Sequence, residues 1–133
     1  MKALSLNMTS IKASLSAAAC LIQAVWGANL LVSHYNGNLY SLSLATSGSA
    51  ATLSIKQTLR AGGSMPSWLT LDSATETLYV TDESTYGSPV LTTVSVAADG
   101  TLKTVSTART NGGDLHSTLY GGTDGNGFIA AAE

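Results

Sequence analysis

Charge is scarce in this 133-residue chain. Asp, Glu, Lys and Arg make up 11% of it, with 6 basic and 8 acidic residues. The basic residues form no cluster, so neither a nucleic-acid backbone nor an anionic membrane surface is an expected partner. Cysteine occurs once, at Cys20, which leaves no disulfide framework. No group of His, Cys and carboxylates has metal-ligand spacing, no Gly-rich loop has the P-loop pattern, and no Gly-x-Ser-x-Gly surrounds a nucleophile. No metal or cofactor is therefore expected, and serine-esterase chemistry has no support. No apolar run is long and clean enough to be a comfortable transmembrane helix.

What the chain does have is 44% hydrophobic residues, 13 Gly, and abundant Ser, Thr and Ala. That mixture suits short strands joined by many turns, an all-β class, not charged amphipathic helices.

The first 27 residues differ from the rest. Lys2 and Lys12 precede or flank a short apolar run, Ala13–Val25, and Val25-Trp26-Gly27 sets small residues at the −3 and −1 positions of a cleavage site. Basic start, apolar centre and small-residue end are the layout of a secretory signal. Residues 1–27 are expected to be a signal peptide and residues 28–133 the folded part, secreted and free of membrane after cleavage. A buried amphipathic helix is the alternative for the leader. Loss of the leader removes Cys20, Lys2 and Lys12, leaving four basic against eight acidic residues, a formal charge of −4. The Asn7-Met8-Thr9 sequon lies in the leader, and residues 28–133 contain no other.

A repeat organises the remainder. Leu78-Tyr79-Val80-Thr81-Asp82-Glu83 is matched in type by Leu30–Tyr35, 48 residues earlier, and by Phe128–Glu133, 50 residues later. Tyr40–Leu44 corresponds to Thr92–Val96, Thr52–Ile55 to the segment from Thr101 to Val105, and Trp68–Leu71 to His116–Leu119. The approaches Ala61-Gly62-Gly63-Ser64 and Asn111-Gly112-Gly113-Asp114 also correspond. One unit is about 50 residues with four short strands, the pattern of a β-propeller blade made of a four-stranded antiparallel sheet. A β-sandwich also uses short strands and regular turns, but does not require a repeat.

The segments Asn29–Tyr40, Met65–Asp72 and Thr77–Glu83, in that order and spacing, resemble the start of the lactonase family. This group of seven-bladed propellers includes 6-phosphogluconolactonases and carboxymuconate-lactonising enzymes, with fungal secreted members the most similar in character. The resemblance covers residues 28–133. It implies a chain roughly three times longer, closed into a ring by a C-terminal strand. About two of seven blades are represented, so residues 28–133 are expected to be an N-terminal piece. Alone, such a piece is expected to be marginally stable and to associate through open blade edges.

The resemblance implies ring opening or closure on a small lactone or organic acid, by hydrolase or isomerase chemistry. That chemistry needs a group that moves a proton and cations that hold a carboxylate or phosphate. His116, Glu83 and Glu133 are the expected catalytic candidates, because propeller ligands commonly sit at the channel mouth among strand ends. Glu83 and Glu133 share a repeat position. His34 reads as a strand-end residue, and Arg60 and Arg109 sit beside turns at the ends of outer strands, poorly placed as a clamp. Most of the family's site would lie beyond Glu133, so the chain alone is expected to be inactive. Secretion disfavours a phosphorylated, cytosolic substrate. A non-catalytic secreted module that binds carbohydrate or protein is the alternative.

Overall fold

The computed structural model describes residues 26–121 and 127–133. The segment expected to be a leader lies outside them, except that the first strand already begins at Trp26. The described residues form nine antiparallel strands and no helix: β1 (Trp26–His34), β2 (Asn38–Ser47), β3 (Ala50–Arg60), β4 (Pro66–Asp72), β5 (Thr77–Asp82), β6 (Val90–Val96), β7 (Leu102–Arg109), β8 (His116–Tyr120) and β9 (Phe128–Ala132). They pair in sequence order into three sheets, β1-β2-β3, β4-β5-β6-β7 and β8-β9. These are consecutive blades of a propeller. The second is a complete four-stranded meander, and the sandwich alternative is not what forms.

Local chemistry explains the turns. Between β4 and β5 the Asp72 carboxylate accepts from the Ala74 amide (3.0 Å) and the Thr75 hydroxyl (2.7 Å), closing a side-chain turn ahead of Glu76 at φ 53°. The repeat extends to irregularities. The ladder slips between Ser41 and Leu42 in the first sheet and between Thr93 and Val94 in the second, 52 residues on. Both Gly pairs that lead into inner strands have positive φ: 84° and 73° at Gly62 and Gly63, 89° and 75° at Gly112 and Gly113.

Alternation along each strand sorts the residues into two faces. Leu69, Leu71, Leu78, Val80 and Val94 are opposed in register and share one face of the second sheet. That face meets the first sheet. Leu39, Ala61, Leu78, Val80, Val94 and Leu102 are buried there, with Leu31, Leu59, Leu69 and Val96 packed around them. At about 1.5–3 kcal/mol for each large aliphatic side chain fully buried, this is the main apolar contribution to the fold. Polar ties flank it. Gln57 bonds both main-chain groups of Leu102 (2.9 and 2.7 Å), Asn29 Nδ2 donates to Ala98 O (3.1 Å), and Lys56 pairs with Asp99 at 2.9 Å.

The opposite face of the second sheet meets the third and is of different character. Thr70 Oγ1 donates to Ser117 O at 2.9 Å and lies 2.8 Å from Ser117 Oγ, and Ser67 Oγ donates to Asp114 O at 2.9 Å. Hydroxyls hold this junction where aliphatic side chains hold the first. Among the described residues, the edge of β1 away from β2 and the edge of β9 away from β8 have no strand partner.

Candidate functional site

Antiparallel pairing brings the starts of the inner strands beside the ends of the second strands. The Glu83 amide donates to Met65 O at 3.0 Å, next to the start of β4. The Leu115 amide donates to Ala132 O at 2.9 Å, next to the start of β8. His116, Glu83 and Glu133 therefore lie on one face of the stack, with His34 and Tyr35 of the first sheet on the same face. No hydrogen bond joins His116 to either glutamate among the described residues.

Each candidate has a distinct setting. His116 is exposed, and its imidazole lies against the Trp68 indole, ring centroids 4.6 Å apart and tilted by 50°. A bulge positions Trp68. The β4–β5 ladder is interrupted between Pro66 and Leu69, and the Trp68 amide donates instead to Thr81 Oγ1 at 3.2 Å. Thr81 Oγ1 also lies 3.1 Å from Ser67 Oγ, which reaches the next blade at Asp114 O. Bulges re-aim side chains in this way. The indole stays 42% exposed beside His116. Ordinary β-strand reading of Trp68 gives no hint of this contact; the repeat does, because it sets Trp68 and His116 at the same position of adjacent blades.

Glu83 is half-buried and accepts a 2.5 Å hydrogen bond from the Tyr35 hydroxyl across the junction of the first two sheets. That bond, with lesser contributions from desolvation and the carboxylate charge, raises the Tyr35 phenol above its ordinary pKa. Glu133 is exposed at the end of β9. His34 is exposed, and its Nδ1 accepts from the Asn36 amide at 3.1 Å within its own turn.

Asp82 and Glu83 have separate tasks. The Asp82 side chain is 1% exposed and accepts from the Met65 amide (3.0 Å), the Ser84 amide (3.1 Å) and, more weakly, the Ser64 amide (3.4 Å). It pins the loop that carries the chain from the first sheet into β4. A Cβ on Gly63 would lie 1.8 Å from Asp82 Oδ2, so the loop passes directly over the carboxylate. Asp114, in the equivalent loop before β8, is 2% exposed, and its Oδ2 has no hydrogen-bond partner among the described residues.

Both arginines are engaged by turns. Arg60 Nη1 donates to Asn36 O at 2.9 Å, and the Arg109 guanidinium donates to Ser88 Oγ at 2.9 and 3.3 Å. Two open clefts lie at the opposite end of the stack, one beside Asn29, Glu76 and Ala98, the other beside Asp72, Tyr79 and Phe128. Neither includes His116, Glu83 or Glu133. No group of three or more metal-ligating side chains occurs among the described residues.

Searches of curated proteins and of solved structures return no match to the chain. The model of the family described as lactonase, seven-bladed β-propeller, matches residues 29–133. That span takes in the three serial meander sheets, their repeated bulges and their paired glycines. On both counts the chain belongs to the seven-bladed β-propeller lactonase family.

Proposed function

We propose that the propeller built on these blades opens or forms the lactone ring of a small organic or sugar acid. Family membership supports this reading, and so does the shared face of His116, Glu83 and Glu133, at the end where the inner strands begin. In this reading His116 moves a proton at the ring oxygen or the adjacent carbon. Glu83, oriented by Tyr35, and Glu133 form the polar rim. Trp68 offers a flat apolar surface beside the imidazole. Arg60 and Arg109 are held by Asn36 and Ser88, so the cations that hold the acid group come from other blades. The 133-residue chain alone therefore turns over nothing. The leader-like composition of residues 1–27 supports export and an unphosphorylated substrate; amino-terminal sequencing of the exported protein should then begin at Ala28.

Proton release from glucono-1,5-lactone and muconolactone tests the reading. The chain alone is expected to release none above the spontaneous rate. A seven-bladed protein with residues 29–133 as its leading blades is expected to open one of these lactones. His116→Ala should then lower kcat by about 10²–10⁴-fold. A folded seven-bladed protein that opens neither lactone refutes the enzyme reading and favours a carbohydrate- or protein-binding module. Turnover by the chain alone refutes its dependence on other blades.

A further inference from the structure

Asn followed by Gly is open to attack by its own backbone, because glycine puts no side chain in the way of its amide nitrogen. Two such pairs lie wholly among the described residues, Asn36-Gly37 between β1 and β2 and Asn111-Gly112 between β7 and β8. The Asn of a third, Asn126-Gly127, lies outside them. The first two pairs share a sequence, and both glycines have positive φ, 85° and 89°. Their surroundings differ.

Every polar group of Asn36 is engaged. Its amide donates to His34 Nδ1 (3.1 Å), and its carbonyl accepts from Arg60 Nη1 (2.9 Å). Its Oδ1 accepts from the Asn38 amide (3.0 Å), and its Nδ2 donates to the Tyr40 hydroxyl (3.3 Å). The Gly37 amide is also held, donating to His34 O at 3.0 Å. Asn111, by contrast, is exposed, and its side chain has no hydrogen bond among the described residues. The Gly112 amide meets only the Thr110 hydroxyl of its own turn, at 3.3 Å.

We propose that Asn111 is a modification site at which the folded chain deamidates, whereas the turn around Asn36 protects the same dipeptide. The Gly112 nitrogen gives its proton to hydroxide and bonds to Asn111 Cγ. The Cγ–Nδ2 bond breaks, and ammonia leaves with a proton from water. Water then opens the cyclic imide at one carbonyl or the other, leaving Asp or an isoaspartyl link at position 111. At Asn36 the same approach breaks the bonds of Oδ1, Nδ2 and the Gly37 amide, each worth about two- to tenfold in rate. At Asn111 it breaks one weak bond. The product alters the loop that leads into β8. That loop is tightly seated on the second blade: the Gly113 amide donates to Ser84 O at 3.3 Å, and a Cβ on Gly112 would lie 2.3 Å from the same oxygen. An isoaspartyl link adds a backbone atom there, so it loosens the approach to His116.

Peptide mapping with fragment-ion mass spectrometry, on the full chain aged at mildly alkaline pH, tests the proposal. One sample is held folded with sucrose and a reference is unfolded in urea. In urea the two sites should react at similar rates. In the folded chain Asn36 should slow by at least about tenfold, and Asn111 should stay within about threefold of its unfolded rate. Tyr40→Phe removes one bond from Asn36 and should speed that site by about two- to tenfold, with Asn111 unchanged. In the aged sample amide exchange along β8 should be faster, and Asn111→Gln should abolish that change. Asn111 slowed as much as Asn36 overturns the proposal. So does an Asn36 that keeps its unfolded rate, or a Tyr40→Phe chain in which both sites change alike. Unchanged exchange along β8 in a sample carrying the isoaspartyl link overturns the effect on the loop.

Discussion

Replacing Asp82 with Ala should be among the most costly single changes in the described structure, and the structure shows how to check the reason. The substitution orphans the buried Ser84 amide and the part-buried Met65 amide, both well bonded, and a third, weaker one at Ser64. At about 1–3 kcal/mol for each buried group left without a partner, the loss is about 2–5 kcal/mol. Gly63→Ala should act through the same bonds. Its Cβ would displace the Asp82 carboxylate, since the two would otherwise be 1.8 Å apart, and φ of +73° adds about 1–2 kcal/mol of left-handed strain. Once Asp82 is already Ala, displacing the carboxylate costs nothing further, and what remains is the strain and a tight 3.1 Å contact with the Cβ kept at position 82. The double variant should therefore be more stable than the sum of the two single losses predicts, by about 2–4 kcal/mol. Urea unfolding followed by tryptophan fluorescence measures this, with a stabilising osmolyte such as sucrose giving each variant a folded baseline. Additivity within about 0.5 kcal/mol, or a loss below about 1 kcal/mol for Asp82→Ala, would refute the pinned-loop argument.

Two further perturbations act at exposed groups and are read by titration. Asp99 is held down to a pKa of about 2 by the hydrogen bond from Lys56, then by the amide and hydroxyl of Thr101. A carboxyl depressed on folding contributes stability above its unfolded value of 3.8 that is lost as pH falls towards 2. Lys56→Ala should move the Asp99 carboxyl resonance midpoint up towards the ordinary range and flatten that acid limb; an unmoved midpoint would count against the Lys56 contact. At the other pH extreme, Glu83→Gln should bring the Tyr35 phenol back down towards its ordinary pKa, seen as earlier phenolate absorbance on raising pH. An unchanged alkaline titration would mean that the phenol–carboxylate bond does not persist in solution.

Most of the blade architecture was legible because residue type repeats where side-chain direction repeats. Leu78-Tyr79-Val80 alternates with the pleat, and its counterpart at Leu30 recurs in the first sheet on the same face. In the third sheet the register is one residue off the sequence match, because Leu119 pairs with Ile129 as Leu71 pairs with Leu78, so that Ile129, not Phe128, takes the place of Leu78 and Glu133 falls at the position of Asp82, not of Glu83. Strand extent was less legible. β3 runs from Ala50 to Arg60, well beyond the apolar core Thr52–Ile55, because its polar residues are held in the ladder by pairing with β2. The candidate site was legible as strand ends, with the repeat setting Trp68 and His116 at equivalent positions of adjacent blades, and no further. That Trp68 touches His116 depends on a bulge and on the Thr81 hydroxyl, neither of which leaves a signature in periodicity. Nothing in the sequence distinguishes Asp82 from the adjacent Glu83; only the path of the Gly62-Gly63 loop reveals it as an acceptor for backbone amides. Tyr35 donates to Glu83 because blades stack, a relation between residues 48 positions apart that no local pattern encodes.

The contrast between the two blade junctions has a consequence for how the molecule breathes. Aliphatic packing makes the first two sheets one cooperative unit, whereas β8 and β9 are held to the second sheet largely through the hydroxyls of Thr70, Ser67 and Ser117, groups that water can satisfy in turn. Sub-global opening with the least exposure of apolar surface is therefore release of the β8–β9 hairpin. His116 departs with that hairpin and Trp68 stays behind. The ring contact at the candidate site thus exists only while the junction of the second and third sheets is shut, and amide exchange along β8 is a clock for how often the site comes apart.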